Sequence, residues 1–225
     1  MAATRPALAD APSTRDRLLT AATEEFAARG FDGAKVDRIA ARARVNKAML
    51  YYYFRSKTAL YQAILLDLFS GAARAVTAVR ERGGPPEVQL HDFIEAVALA
   101  ALGRPQFPPM WLREIADGGR HLSPPIVARM RCVVETLGAI LADGRDAGVF
   151  RDVNPFITQI AVVAPLLFFA ATGPVRERLR PLVPKQVADA QRQEVVKHVL
   201  ATTLAAVAAA PAHESPVSSS RRTRP

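Results

Sequence analysis

Apolar residues recur at helical spacing along almost the whole of this 225-residue chain, and nowhere do Val and Ile alternate with polar residues as a half-buried strand requires. Leu18, Leu19, Ala22 and Phe26 share one helical face, and Leu60, Ile64, Leu68 and Ala72 share another. Leu90, Phe93, Ile94, Val97 and Ala101 mark a third. The 42 alanines add intrinsic helix propensity. The pattern predicts an all-α fold, and with half of its residues apolar the chain can bury a sizeable core. At this length a small domain followed by a larger one is the natural division.

Capping and breaking residues divide the helical pattern. Residues 1–12 read as a flexible arm. Ser13, with Asp16 three residues on, has capping-box character and opens a first helix that stops at Gly30. A short second helix runs from about Val36 to Ala43, followed by a break at Arg44-Val45. Asn46 caps a third, Lys47–Tyr53, and Ser56 caps a much longer fourth that ends at Gly83-Gly84-Pro85-Pro86. Four or five more helices follow. One carries Met110, Trp111 and Ile115, and one runs from about Pro124 to Ala147. One starts at Pro155 and is apolar nearly all round, which predicts burial on every side and a kink at Pro165. The last runs from about Gln186 to Ala209. Residues 211–225, rich in Ser, Pro and Arg, read as a disordered tail. The expected organisation is an N-terminal three-helix helix-turn-helix domain at 13–57 and a larger helical domain at 58–210.

The formal charge of +9 is unevenly spread. Residues 1–60 carry 11 Lys or Arg against 6 Asp or Glu, whereas 61–210 carry 16 against 14. Between Gly33 and Lys57 stand seven basic residues and a single acid, Asp37. Such a local excess is the electrostatic footprint of a phosphate-binding surface, although a solvated basic face would look the same by charge alone. Cys132 is the only cysteine, which excludes an intrachain disulfide and points to a reducing compartment. Residues 1–12 lack the apolar core of a secretory signal, and the most apolar stretch, Ile160–Ala171, is too short to span a bilayer. These features predict a cytoplasmic protein with no membrane partner.

Val36–Lys57 has what a helix-turn-helix needs: two short helices joined by a tight turn, with a small residue at the crossing and apolar residues locking the second helix to the first. Ala40 is the small contact, and Ile39, Val45 and Leu50 form the shared miniature core. Lys47, Ala48, Met49 and outward tyrosines are left facing away from that core. Such a face is odd for a solvated surface and normal for one that enters a major groove.

The stretch Gly30-Phe31-Asp32-Gly33-Ala34-Lys35-Val36-Asp37-Arg38-Ile39-Ala40, then Val45-Asn46-Lys47-Ala48-Met49-Leu50-Tyr51-Tyr52-Tyr53-Phe54 with Ser56-Lys57, resembles the DNA-binding domain of the tetracycline-repressor (TetR/AcrR) regulators. Leu18-Leu19-Thr20-Ala21-Ala22 with Phe26 matches the first helix of that domain. The resemblance implies that Asn46, Lys47, Ala48 and Met49, opening the recognition helix, meet the DNA, the last three at base edges. It implies that Tyr51, Tyr52 and Tyr53 lie along phosphates, with core packing as the alternative or additional role of Tyr51. Lys57 would bind phosphate at the start of the fourth helix. Arg44 departs from the pattern, which has glycine there. A left-handed residue other than glycine costs about 1 kcal/mol, to be offset by an Arg44–phosphate contact or avoided by a different turn. Ala34 and Val36 stand where hydroxyl residues are common.

The resemblance further implies that 58–210 is a ligand-binding regulatory and dimerisation domain, with a homodimer through the last two long helices, a palindromic double-stranded operator, and a small-molecule effector that releases it. Effector-driven movement of the fourth helix would carry the signal, since Lys57 and Leu60 tie it to the reading head. Phe107, Met110, Trp111, Phe168 and Phe169 are candidate pocket walls, with His91, Arg113 and Glu114 as polar handles, although ordinary core residues have the same composition. No catalytic residues, cofactor or metal are expected: His91, His121, His198 and His213 are far apart, and Glu114, Asp117 and Glu135 read as solvated. An enzyme would reveal itself by turnover or bound metal. A merely sticky basic protein, using Arg221, Arg222 and Arg224, would not discriminate between sequences.

Overall fold

The computed structural model describes residues 12–209, so the arm up to residue 11 and the tail expected at 211–225 lie outside the described residues. Eleven α-helices follow in order: α1 (Thr14–Gly33), α2 (Val36–Arg42), α3 (Lys47–Phe54), α4 (Lys57–Arg82), α5 (Pro86–Leu102), α6 (Phe107–Ala116), α7 (Pro124–Asp146), α8 (Pro155–Ala171), α9 (Gly173–Leu179), α10 (Lys185–Ala188) and α11 (Arg192–Val207). Among the described residues there is no strand, only an isolated antiparallel bridge between Phe150 and Ala208.

Local chemistry sets the boundaries. The Ser13 hydroxyl accepts from the Asp16 N–H and donates to its carboxylate, closing the N-terminus of α1. Gly30 takes φ 69, a left-handed value that breaks the helix before a last turn at Phe31–Gly33. Ser56 accepts from the Ala59 N–H at 3.0 Å, and Asn154 accepts from the Phe156 and Ile157 N–H groups.

The larger domain is built on α4 and α5. By length and composition α4 is apolar enough to cross a membrane, but its apolar residues face α7, α5 and α1. The α5 helix touches α4, α6, α7, α8 and α11, and buries Leu90, Phe93 and Ile94 completely. Helices α8 and α11 pack against each other.

Two expectations need correction. The α8 helix is not buried on every side of the single chain: Phe156, Ile157, Ile160 and Phe168 are exposed, while Val162, Leu166 and Leu167 face inward. Pro165 lies within the continuous span of α8, and the chain turns by a further 47° between α8 and the segment Gly173–Leu182. The expected final helix is two, because Gln191 and Glu194 form a capping box that starts α11 afresh after the single turn of α10.

Candidate nucleic-acid interface

Helix α3 stands on a small core. Ile39 and Leu50 are fully buried, Ala40 is nearly so, and Val45 packs partly buried against them. Across the turn the Val45 N–H donates to the Ala40 carbonyl at 3.0 Å and the Arg44 N–H to that of Ala41 at 3.1 Å. Arg44 takes φ 55, so the turn keeps a left-handed residue and builds it from arginine. Arg55, just past the other end of α3, does the same at φ 60.

Asn46 accepts from the Met49 N–H at 2.9 Å, which fixes the N-terminus of α3 and aims its first turn outward. Lys47 and Ala48 are exposed and Met49 is half-buried. Tyr51, Tyr52 and Tyr53 are all exposed, Tyr52 at 77%. The solvent-facing side chains of α3 are therefore Lys47, Ala48 and the three tyrosines, with Met49 partly covered.

The basic excess divides into two groups. Arg38 Nε lies 2.6 Å from buried Glu25, and Arg42 pairs with Glu24, so both arginines brace α2 against α1. Burial pushes the Glu25 carboxyl pKa up, but hydrogen bonds from Arg38 and the Lys35 N–H, with the charges of Arg38 and Arg29, outweigh it and hold the group below its ordinary value. Lys35, Arg44 and Arg55 are exposed. Lys47 Nζ lies 2.9 Å from Asp37 Oδ1, and this hydrogen bond and charge hold the ammonium pKa above its ordinary value.

Lys57 is half-buried, donates to the Asp32 carbonyl at 3.3 Å and sits 4.7 Å from the centroid of the Phe31 ring. It thereby ties the end of α1 to the start of α4. Residues that sequence reasoning read otherwise complete this junction. Arg113 of α6 is exposed and donates to the carbonyls of Phe26 and Ala27, bonding to the backbone of α1. Glu114 is not solvated but 1% exposed, with the His121 N–H and ring Nδ1 on its two oxygens. The His121 ring lies 4.0 Å from Phe31 and 5.0 Å from Tyr61 of α4. The Tyr61 hydroxyl pKa is pushed far up, first by burial and then by the Glu114 charge.

The expected pocket residues occupy different surroundings. Phe107 and Trp111 stack on each other with Phe69 edge-on to both, and Met110 is core. Phe168 is 67% exposed, while Phe169 lies under the Arg176 guanidinium at 3.8 Å. His91 sits on α5 beside Asp92 and Glu95, their ligand atoms within 4.8 Å of one another, but Arg82 also holds Asp92 at 3.0 Å. The trio lies at the surface, with Asp92 already paired to Arg82. Next to it an open groove of about 750 Å³ runs between α4, α5 and the start of α11, floored by Val79, Ala98 and Leu102.

Comparison with known proteins agrees with this geometry. Residues 18–64 match the family described as bacterial regulatory proteins, tetR family, and residues 86–203 match the tetracyclin repressor-like C-terminal domain. The HTH-type transcriptional repressor NicS of Pseudomonas putida is 28% identical over 183 residues, covering 80% of this chain and 85% of its own. The HTH-type transcriptional repressor SCO4008 of Streptomyces coelicolor is 26% identical, covering 76% and 84%. Among solved structures, the TetR family regulator PfmR of Thermus thermophilus superposes with a TM-score of 0.66 at 28% identity, covering 84% of this chain and 98% of its own. These proteins are transcription regulators rather than enzymes, and the family binds operator DNA as dimers under small-molecule control in the cytoplasm. With residues 18–64 and 86–203 both matched, the protein belongs to the TetR family of bacterial regulatory proteins and is a DNA-binding transcriptional regulator.

Proposed function

We propose that the protein is a repressor whose dimer reads a palindromic operator, associates with the nucleoid while bound, and releases DNA when an effector enters its larger domain. The outward surface of α3, capped by Asn46 and presenting Lys47, Ala48 and three exposed tyrosines, carries this reading. Lys47, Ala48 and Met49 contact base edges, with Lys47 suited to guanine O6 and N7 and Met49 or Ala48 to a thymine methyl. Tyr51, Tyr52 and Tyr53 position the helix through phosphates, as does Lys57 once the groove lies against it.

A single recognition helix of eight residues reads too few base pairs for tight binding, and a palindrome needs two, roughly 34–36 Å apart. The exposed Phe156, Ile157, Ile160 and Phe168 of α8, beside α11, supply an apolar surface for the second subunit. Effector control is a population shift: a ligand that favours a wider separation of the two heads lowers operator affinity by its preference for that state. The Arg113, Glu114 and His121 contacts on α1 and α4 form the path by which a shift of α6 reaches the head.

The test is fluorescence anisotropy against DNA from upstream of the protein's own gene, with scrambled competitor at physiological salt. Tight binding that depends on the palindrome and falls on the order of 10- to 100-fold in Lys47→Ala is the expected result. Equal binding to scrambled DNA would overturn it.

A further inference from the structure

Asp37 poses a physical problem. It is the only acid among the basic residues of Gly33–Lys57, its side chain is 73% exposed, and it stands in the first turn of α2 on the surface that approaches DNA. A carboxylate there repels phosphate and weakens binding to any sequence. Its partner is Lys47, the first residue of the recognition helix, held at 2.9 Å across the helix-turn-helix. The pair therefore joins α2 to the reading end of α3 and presents a cationic donor and an anionic acceptor side by side.

That arrangement has a chemical complement in the major groove. A G·C pair shows two adjacent acceptors, guanine N7 and O6, followed by the cytosine N4 amino donor. An ammonium on O6 and N7 with a carboxylate on N4–H matches all three groups. An A·T pair shows the adenine N6 donor between two separated acceptors, beside the thymine methyl, and leaves the ammonium with one acceptor at most when the carboxylate takes N6.

We propose that Asp37 is a specificity-determining residue, which with Lys47 reads one G·C base pair in each half-site and disfavours non-specific DNA. The inference rests on the DNA-reading role of α3. On non-specific sequence Lys47 must leave a carboxylate that then faces phosphate with no donor, whereas on the matching base pair both groups of the dyad are satisfied. Lys47 alone gives attraction, and Asp37 converts it into selection.

The experiment selects operator sequences from a randomised DNA pool with the full chain, then measures affinities for every single-base-pair change in the selected site. The wild type is compared with Asp37→Ala, Asp37→Asn and Lys47→Ala. Wild type should show one G·C position per half-site where substitution costs on the order of 10- to 100-fold. Both Asp37 variants should flatten the preference at that position, bind random DNA several-fold more tightly, and keep the preferences elsewhere in the site. An unchanged preference profile in Asp37→Ala, or an equal change across all sequences, overturns the proposal and leaves the regulator reading intact. A wild type that selects no sequence overturns both.

Discussion

Glu114, on α6, holds His121 at two points, the backbone N–H at 2.7 Å and the ring Nδ1 at 2.9 Å, and both residues are buried. The loop after α6 is thereby fixed where His121 meets Phe31 at the end of α1 and Tyr61 on α4. One carboxylate thus sets the register between the regulatory helices and the DNA-binding domain. Replacing it by alanine strands two buried donors, each costing about 1–3 kcal/mol. Glu114→Ala should unfold at clearly lower urea and lose part of its effector response, whereas Glu114→Gln, which can still accept from the His121 N–H, should lose less.

Arg44 holds a left-handed backbone at φ 55 beside the recognition helix. Arg44→Gly removes about 1 kcal/mol of backbone strain, so the variant should be equal or higher in stability by urea titration. If the arginine meets a phosphate, operator affinity falls by a similar factor for all sequences and the slope of log affinity against log salt shrinks by about 1. Unchanged affinity and slope would show that Arg44 serves the turn alone.

Glu25 links α1 to α2 through Arg38 and the Lys35 N–H, and its folded pKa lies below the ordinary value of 4.5. A depressed carboxyl pKa contributes stability that is fully present above the unfolded value and is lost as pH falls through the folded value. Between neutral pH and about pH 5 this contribution should be constant, and below that stability should drop. Glu25→Gln should be less stable at neutral pH, with the difference from wild type narrowing under acid. Chemical denaturation across pH checks both statements.

Ile160 lies on the exposed face of α8 with Phe156, Ile157 and Phe168. A charge there has no cost in the single chain and a large one inside an apolar subunit interface. Ile160→Glu should keep its helical circular dichroism, sediment as a monomer, and lose most operator affinity because one recognition helix remains per particle. A variant that stays dimeric would move the interface away from this face of α8.

What could be read in advance follows the range of each interaction. Ser13, Asn46 and Ser56 cap helices through hydrogen bonds to N–H groups three residues on, and Gly30 breaks α1 through its own backbone freedom, so these boundaries are written locally. The helix-turn-helix core of Ile39, Ala40, Val45 and Leu50 spans only twelve residues, close enough for spacing to imply contact. The restart of helix at Arg192 was equally local, but its Gln191–Glu194 box uses glutamine as the cap, which ranks outside the usual capping residues.

Sequence alone therefore determined the all-helical class, the boundaries of the first four helices and the outward face of α3, because periodicity, caps and a short-range core each act within a few turns. Tertiary structure decided where the charges go. Arg113 meets carbonyls 86 and 87 positions away and Arg80 meets Asp143 63 positions away, while Glu114 turns from an apparently solvated acid into a buried anchor. It also decided that half of the α8 apolar surface stays uncovered. Hydrophobicity says that a side chain seeks burial, and side-chain charge that it seeks a partner, but neither names the partner: that depends on which helices the fold brings within a few ångströms of each other.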